Sequence, residues 1–160
     1  MAGNMFLKCQ GVDGECVESN HEGWIDVSSA SESLFHTNSA GYGGGAGVGS
    51  VEMTTFDVNC QMEKAIPVLK NACAGNRVFP TVKLHMTKMQ GEVSWNYLEV
   101  TLTDAIVDRV STSMSENMIP HVSLSFRFTK IQTDYFVQLK DQGKGALSTS
   151  TWDQKANKKV

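Results

Sequence analysis

Phe6-Leu7-Lys8, Gly11-Val12-Asp13-Gly14-Glu15 and His21-Glu22-Gly23-Trp24-Ile25-Asp26-Val27 follow one another near the start of the chain. They read as two short strands around a polar turn. The stretch carries no catalytic machinery, so what it specifies is architecture rather than chemistry.

Outward from it, most of the chain alternates apolar and polar residues with period two, the signature of half-buried strands. Val51-Glu52-Met53-Thr54-Thr55-Phe56-Asp57-Val58 reads this way, as does Val82-Lys83-Leu84-His85-Met86. Leu98, Val100 and Leu102 repeat the pattern, and Gln90-Gly91-Glu92 lies between these last two runs, which predicts an antiparallel hairpin. Another pair is residues 105–111 and 122–139. In the second, Val122, Leu124, Phe126 and Phe128 fall on even positions, whereas Ile131, Tyr135, Val137 and Leu139 fall on odd ones. A strand changes face only by gaining a residue, so a β-bulge or sharp bend is expected near Thr129-Lys130. Such bends let a sheet curl and close into a barrel.

One segment breaks the alternation. In residues 62–74, Ala65, Ile66, Leu69, Ala72 and Cys73 recur at intervals of three and four, which predicts a short amphipathic helix. Pro67 fits a first turn, where its missing N–H costs nothing, and Gly75 is placed to end the helix as a left-handed cap. Residues 28–50 show little periodicity and end in Gly43-Gly44-Gly45-Ala46-Gly47-Val48-Gly49. This predicts a projecting glycine-rich loop. Leu34 and Phe35 lie on it, either as a partner surface or tucked back onto the core.

The 160 residues suit a single domain spanning 1–160, with enough chain to bury a self-sufficient core. With 41% hydrophobic and 19% charged residues the composition is globular. A formal net charge of −3 argues against a nucleic-acid footprint or an anionic-membrane partner. Lys155, Lys158 and Lys159 are the only local basic excess, and residues 145–160 are expected to form a flexible C-terminal segment. No window approaches the ~18 consecutive apolar residues of a membrane helix. Residues 1–10 lack the basic start and apolar segment of a signal peptide, so the expectation is a chain made in the cytoplasm and, if exported, exported without a cleaved leader.

Each chemical possibility meets a missing element. Gly41-x-Gly43-x-x-Ala46 fits a loose dinucleotide pattern, but a strand follows it where the fingerprint needs a helix. Cys9, Cys16, Cys60 and Cys73 form no C-x-x-C pair and read as buried or half-buried free thiols of a reducing compartment, with a Cys9–Cys16 bridge across an N-terminal hairpin as the alternative. His21, His36, His85 and His121 have no metal-site spacing. His85 has the look of a triad base only in the sense that any serine-rich chain allows one, and no Gly-x-Ser-x-Gly elbow is present. The acid pairs Asp13 and Glu15, and Asp104 and Asp108, read as solvated turn residues, and Trp24, Trp95 and Trp152 as core or interface. No catalytic residue, cofactor or metal is expected.

Taken together, the order of these pieces resembles the haemolysin-coregulated protein (Hcp) family, the tube protein of bacterial type VI secretion systems. The resemblance rests on the opening stretch, the glycine-rich loop, and the helix with Pro67, Leu69, Ala72 and Cys73 ahead of Gly75. Tyr97-Leu98-Glu99-Val100-Thr101-Leu102, Val122-Ser123-Leu124-Ser125-Phe126, Lys130-Ile131 with Asp134-Tyr135, and Trp152-Asp153 complete it. The chain departs from the family at Ser28-Ser29-Ala30-Ser31-Glu32, where a tryptophan-rich run is usual, at Ile66, where a hydroxyl cap is usual, and near Arg127-Phe128, which is about two residues longer.

The resemblance implies a mainly β fold: a small barrel of two antiparallel sheets with one short flanking helix. It implies a homohexameric ring with a wide channel, rings stacked into a tube inside a contractile sheath, a spike protein at the tip, and small effector proteins carried within. The alternative is a non-polymerising adaptor or effector carrier on the same barrel. The sites would then be interfaces. For ring stacking these are Phe35, Tyr42, Gly43, Gly44, Gly45 and Gly47. For pairing of edge strands between subunits they are Trp24, Ile25 and Val27 with Val122, Leu124 and Phe126.

Overall fold

The structure is a computed structural model and describes residues 4–37 and 51–160. Five strands and one helix come first: β1 Met5–Cys9, β2 Ile25–Ser31, β3 Leu34–His36, β4 Val51–Met53, β5 Phe56–Gln61 and α1 Ala65–Ala74. Five further strands follow among the described residues: β6 Val78–Gln90, β7 Val93–Ser113, β8 His121–Arg127, β9 Lys130–Gln138 and β10 Lys144–Asp153.

All pairings are antiparallel. The main sheet runs β10-β9-β7-β6-β1-β2-β5-β8, and β8 returns to pair with β7. Six strands, β7-β6-β1-β2-β5-β8, therefore close into a barrel, while β9 and β10 continue the sheet outside it. β3 and β4 form a separate two-stranded ribbon. The small antiparallel barrel with one short helix is thus as expected, built from a single sheet closed on itself.

Closure depends on the 21 residues of β7. Leu98–Thr103 pair with β9 and Ile106–Ser113 with β8, along the same side of the strand. β8 and β9 are consecutive pieces of one bent run, interrupted at Phe128 and Thr129, where the change of parity predicted a bend. On β7 the switch between partners falls at Asp104, whose φ is +50°.

The core lies inside the barrel. Leu7, Val82, Leu84, Val100 and Leu102 enter it from β1, β6 and β7, and Val58, Val122, Leu124 and Phe126 from β5 and β8. The helix closes one side with Ala65, Ile66, Leu69 and Ala72, the buried stripe its spacing predicts. It starts at Ala65 rather than near Met62, which puts Pro67 in its first turn. The cap is not a hydroxyl: Glu15 accepts from the Lys64 N–H at 3.3 Å across the fold.

Several expectations are corrected. Gly75 is not left-handed, with φ −88°. Asn76 takes that conformation at +51°, while Asn76 N–H bonds Cys73 O and Arg77 N–H bonds Ala72 O, a Schellman ending with asparagine one residue past the cap. Residues 145–160 are not a loose tail: β10 pairs with β9 from Lys144 to Asp153, and Asp153 bonds back to Ala156 N–H and Lys158 O. Of residues 28–50, the first four extend β2, and the ribbon β3–β4 holds the base of the loop. The glycine run with Tyr42, Gly43, Gly44, Gly45 and Gly47 lies outside the described residues. The cysteines need no correction: all four are free, and the alternative Cys9–Cys16 bridge is not formed.

Candidate self-association surface

The residues singled out for subunit pairing divide by where the barrel puts them. Ile25, Val122, Leu124 and Phe126 are buried in the core and offer no side chain to a neighbour. Nor are their strands edges: β2 lies between β1 and β5, and β8 between β5 and β7. The alternation that marked them as strands was correct, but it does not distinguish a closed barrel from an open sheet. Val27 packs half-buried against the core. Trp24 leans on His21 and His85, with ring centroids 4.8 and 4.5 Å away. Phe35 and Leu34 are exposed on β3.

The structure supplies a surface that the sequence reading did not single out. β9 and β10 stand clear of the barrel, and among the described residues β10 has a strand on one side only. Along β9 the odd residues begin buried at Ile131 and turn exposed at Tyr135 and Val137, and Leu139 just past its end is exposed too. Leu147 of β10 is 54% exposed. The change in burial follows from position, since the apolar row runs past the barrel into solvent. Its sequence signal was the length of the alternating run, about twice that of an average strand. A second apolar group, Met114, Met118 and Ile119, is exposed on the loop between β7 and β8.

Charges on the outer face of the sheet are grouped by sign. Glu99 on β7 stands opposite Asp134 on β9, and Lys8 on β1 opposite Lys83 on β6. Like charges directly across a ladder repel. The acids are relieved by neutral donors: Asn96 Nδ2 to Glu99 at 3.0 Å, and Gln132 Nε2 and Thr149 Oγ1 to Asp134 at 2.9 and 2.5 Å. Lys8 is relieved by Asp13 at 2.8 Å.

His85 does not assemble a nucleophilic triad with the serine nearest its network. The Ser94 hydroxyl donates to Glu18 Oε1 at 3.2 Å, and His85 Nδ1 faces Asn96 and His21 instead. Burial, partly offset by Glu99, brings the His85 ring down to about 4, below the range of a general base at neutral pH.

A family model described as "Type VI secretion system effector, Hcp" matches residues 6–135. Protein hcp1 of Pseudomonas aeruginosa is 33% identical over 147 residues, covering 90% of each chain. The chain belongs to the Hcp family of type VI secretion proteins. The crystal structure of Hcp1 from Salmonella typhimurium superposes with a TM-score of 0.83 at 31% identity, covering 100% of both chains. Hcp2 from the same organism gives 0.72 at 27% identity, over 97% of this chain and 98% of that one. The family model's match stops within β9, whereas the Hcp1 alignment takes in β10 as well. The β9–β10 extension is therefore part of an Hcp-type chain even where the sequence pattern of the family has faded.

Proposed function

We propose that this chain is the repeating subunit of a type VI secretion inner tube, closing into a homohexameric ring. The observation that carries the proposal is the β9–β10 extension: a strand edge that, from Leu147 to Ser150, pairs with no other strand among the described residues, beside an exposed apolar row of Tyr135, Val137, Leu139 and Leu147. An edge of this kind pairs readily with another chain, and soluble proteins normally blunt it with charge or cover it. Here the exposed stretch Leu147-Ser148-Thr149-Ser150 carries no charge at all. A surface of this type that meets a different surface on the next copy gives a heterologous contact, which closes when the rotation per subunit divides the circle.

Stacking of rings uses the ribbon β3–β4, which presents Leu34 and Phe35, together with residues 38–50. The stacked tube is expelled by a contractile sheath behind a spike protein and carries small effectors in its channel. Family membership supports these partners.

Mass measurement of the purified chain, with negative-stain images, tests the core of the proposal. Closed rings of six are the expected result, and Val137→Lys with Leu147→Lys should return them to monomers of unchanged circular dichroism. A strict monomer at high concentration with no rings in the images would rule the proposal out and favour the adaptor reading. Deleting residues 43–49 separates the two contacts: rings persist and stacks are lost.

A further inference from the structure

Residues 10–24 leave β1 and return to β2 as an irregular strap across the outside of the barrel, and its second half is fastened by a half-buried chain of polar groups centred on buried His21. Phe6 points outward from β1 yet is only 2% exposed, because His21 stacks on it with ring centroids 4.3 Å apart. His21 is itself buried. Its Nδ1 lies 2.5 Å from Glu18 Oε2, and its Nε2 lies 3.1 Å from Nδ1 of His85 on β6. The same His85 Nδ1 is 3.1 Å from Asn96 Nδ2 on β7.

The hydrogen-bond inventory of these groups fixes where the protons go. Asn96 Nδ2 also meets Glu99 Oε1 at 3.0 Å, and a carboxylate only accepts, so the amide end facing it is the NH2. That NH2 therefore donates to His85 Nδ1, which is bare. His21 Nε2 faces the same bare nitrogen and makes a bond only if it carries a proton. His21 Nδ1 faces a carboxylate and carries one as well. The chain is fully satisfied when His21 holds both protons, its charge balanced by Glu18, and His85 is neutral with its proton on Nε2.

We propose that the His21–His85 contact is a proton-counting latch, which holds residues 18–24 over β1 and β6 with one proton in the contact and releases them when acid adds a second. A second proton on His85 Nδ1 turns its N–H against the N–H of His21 and the NH2 of Asn96. Both hydrogen bonds are lost, and two cations face each other where an acceptor had been. The charged groups around the contact come from every neighbouring element: Glu18 on the strap, Lys8 on β1, Lys83 on β6 and Glu99 on β7. Asp26 of β2 lies across the ladder from Phe6.

Burial holds the His85 ring down to about 4; Glu99 opposes this, and His21 and Lys83 add to it. Burial also works to raise the Glu18 carboxyl, but its bonds from His21 and Ser94 outweigh that and keep it below its ordinary value. The fold thus favours neutral His85. Its contribution is complete above the ordinary histidine value of about 6.5 and is lost as pH falls through about 4. Release uncovers the outer faces of Phe6 and Trp24, an apolar strip that is covered at neutral pH.

The test is hydrogen exchange of the full chain, corrected for intrinsic rates, read at residues 18–24 and at residues 98–103 of β7. Between about pH 6.5 and pH 3.5 the strap should lose protection about tenfold or more while β7 keeps it, and His85→Gln, which does not titrate, should remove the acid step. Nitrogen-15 imidazole spectra of the unaltered protein at pH 7 should show His85 Nδ1 bare, a reading that stands even if the variant fails to fold. Strap protection unchanged to pH 3.5, an identical acid step in His85→Gln, or a proton on His85 Nδ1 at pH 7 would each overturn the latch.

Discussion

Gly14 leaves no room for a side chain. A Cβ there would sit 2.3 Å from the carbonyl oxygen of Trp24 and 2.7 Å from its carbon, both backbone atoms that cannot swing away. Gly14→Ala should therefore cost about 2–3 kcal/mol, read as a lower urea midpoint, because the first part of the strap must draw away from its own end at Trp24 to admit one methyl group. The sequence showed Gly14 as a turn glycine. The reason it must be glycine is the close approach of another segment, not its own dihedral angles, and no local pattern carries that. The cysteines give a second residue-scale prediction. Burial pushes the Cys9 thiol up to about 12 and Cys60 up to about 11, and raises Cys16 as well. Native protein treated with a thiol reagent at pH 8 should react at half-buried Cys73 alone, and the other three should react only in denaturant, as peptide mass mapping would show. Their lack of C-x-x-C spacing already pointed to inert thiols; which of the four is reachable depends on the barrel.

The entry to α1 shows how an element is finished by residues far from it in sequence. The chain offers no hydroxyl cap ahead of Pro67, so the Lys64 N–H is satisfied by Glu15, and the Glu15 N–H by Glu63 Oε2 at 3.3 Å. Glu63 Oε1 is buried without a hydrogen-bond partner. Burial, with Glu15 and Asp26 nearby, raises the Glu63 carboxyl, so its charged form is disfavoured in the fold and its stabilising effect is lost as pH rises through that raised value. Glu63→Gln keeps the acceptor and removes the charge. It should stabilise the protein at pH 7 by up to about 1 kcal/mol in chemical denaturation, with the gain vanishing in acid. At the other end, Asn76→Gly should be neutral or slightly stabilising and Asn76→Val should cost about 1–2 kcal/mol by the same measurement, because a β-branched residue resists positive φ. The helix itself was legible from its apolar spacing to within three residues. Its ends were not, because one cap comes from the strap and the other from Asn76 instead of the more obvious Gly75.

At the scale of the whole molecule, barrel and extension are separable in their energetics. The barrel closes through β7–β8 without β9 or β10, and its core residues come almost entirely from the six closed strands and α1; Ile131 is the one buried apolar contribution from the extension. The alternating runs made a curled antiparallel sheet legible, and the parity change at residues 128–131 located its bend. What they left open was which strands become edges, since that depends on β7 being long enough to serve β8 and β9 in succession. The core-strand residues first assigned to pairing and the extension missed as a surface are two sides of that ambiguity. A chain ending at Gln142 should therefore retain a cooperative unfolding transition and strand-type circular dichroism, because barrel closure is untouched and, of β10, only Trp152 packs against the core. Its melting temperature should fall by only a few degrees, since a peripheral strand contributes about 1–2 kcal/mol against the several of the core. Ring formation should disappear altogether, because the unpaired edge of β10 and Leu147 go with the deleted residues. Unfolding of the shortened chain would show instead that β10 is part of the cooperative unit, and intact rings would move the inter-subunit contact to another face of the barrel.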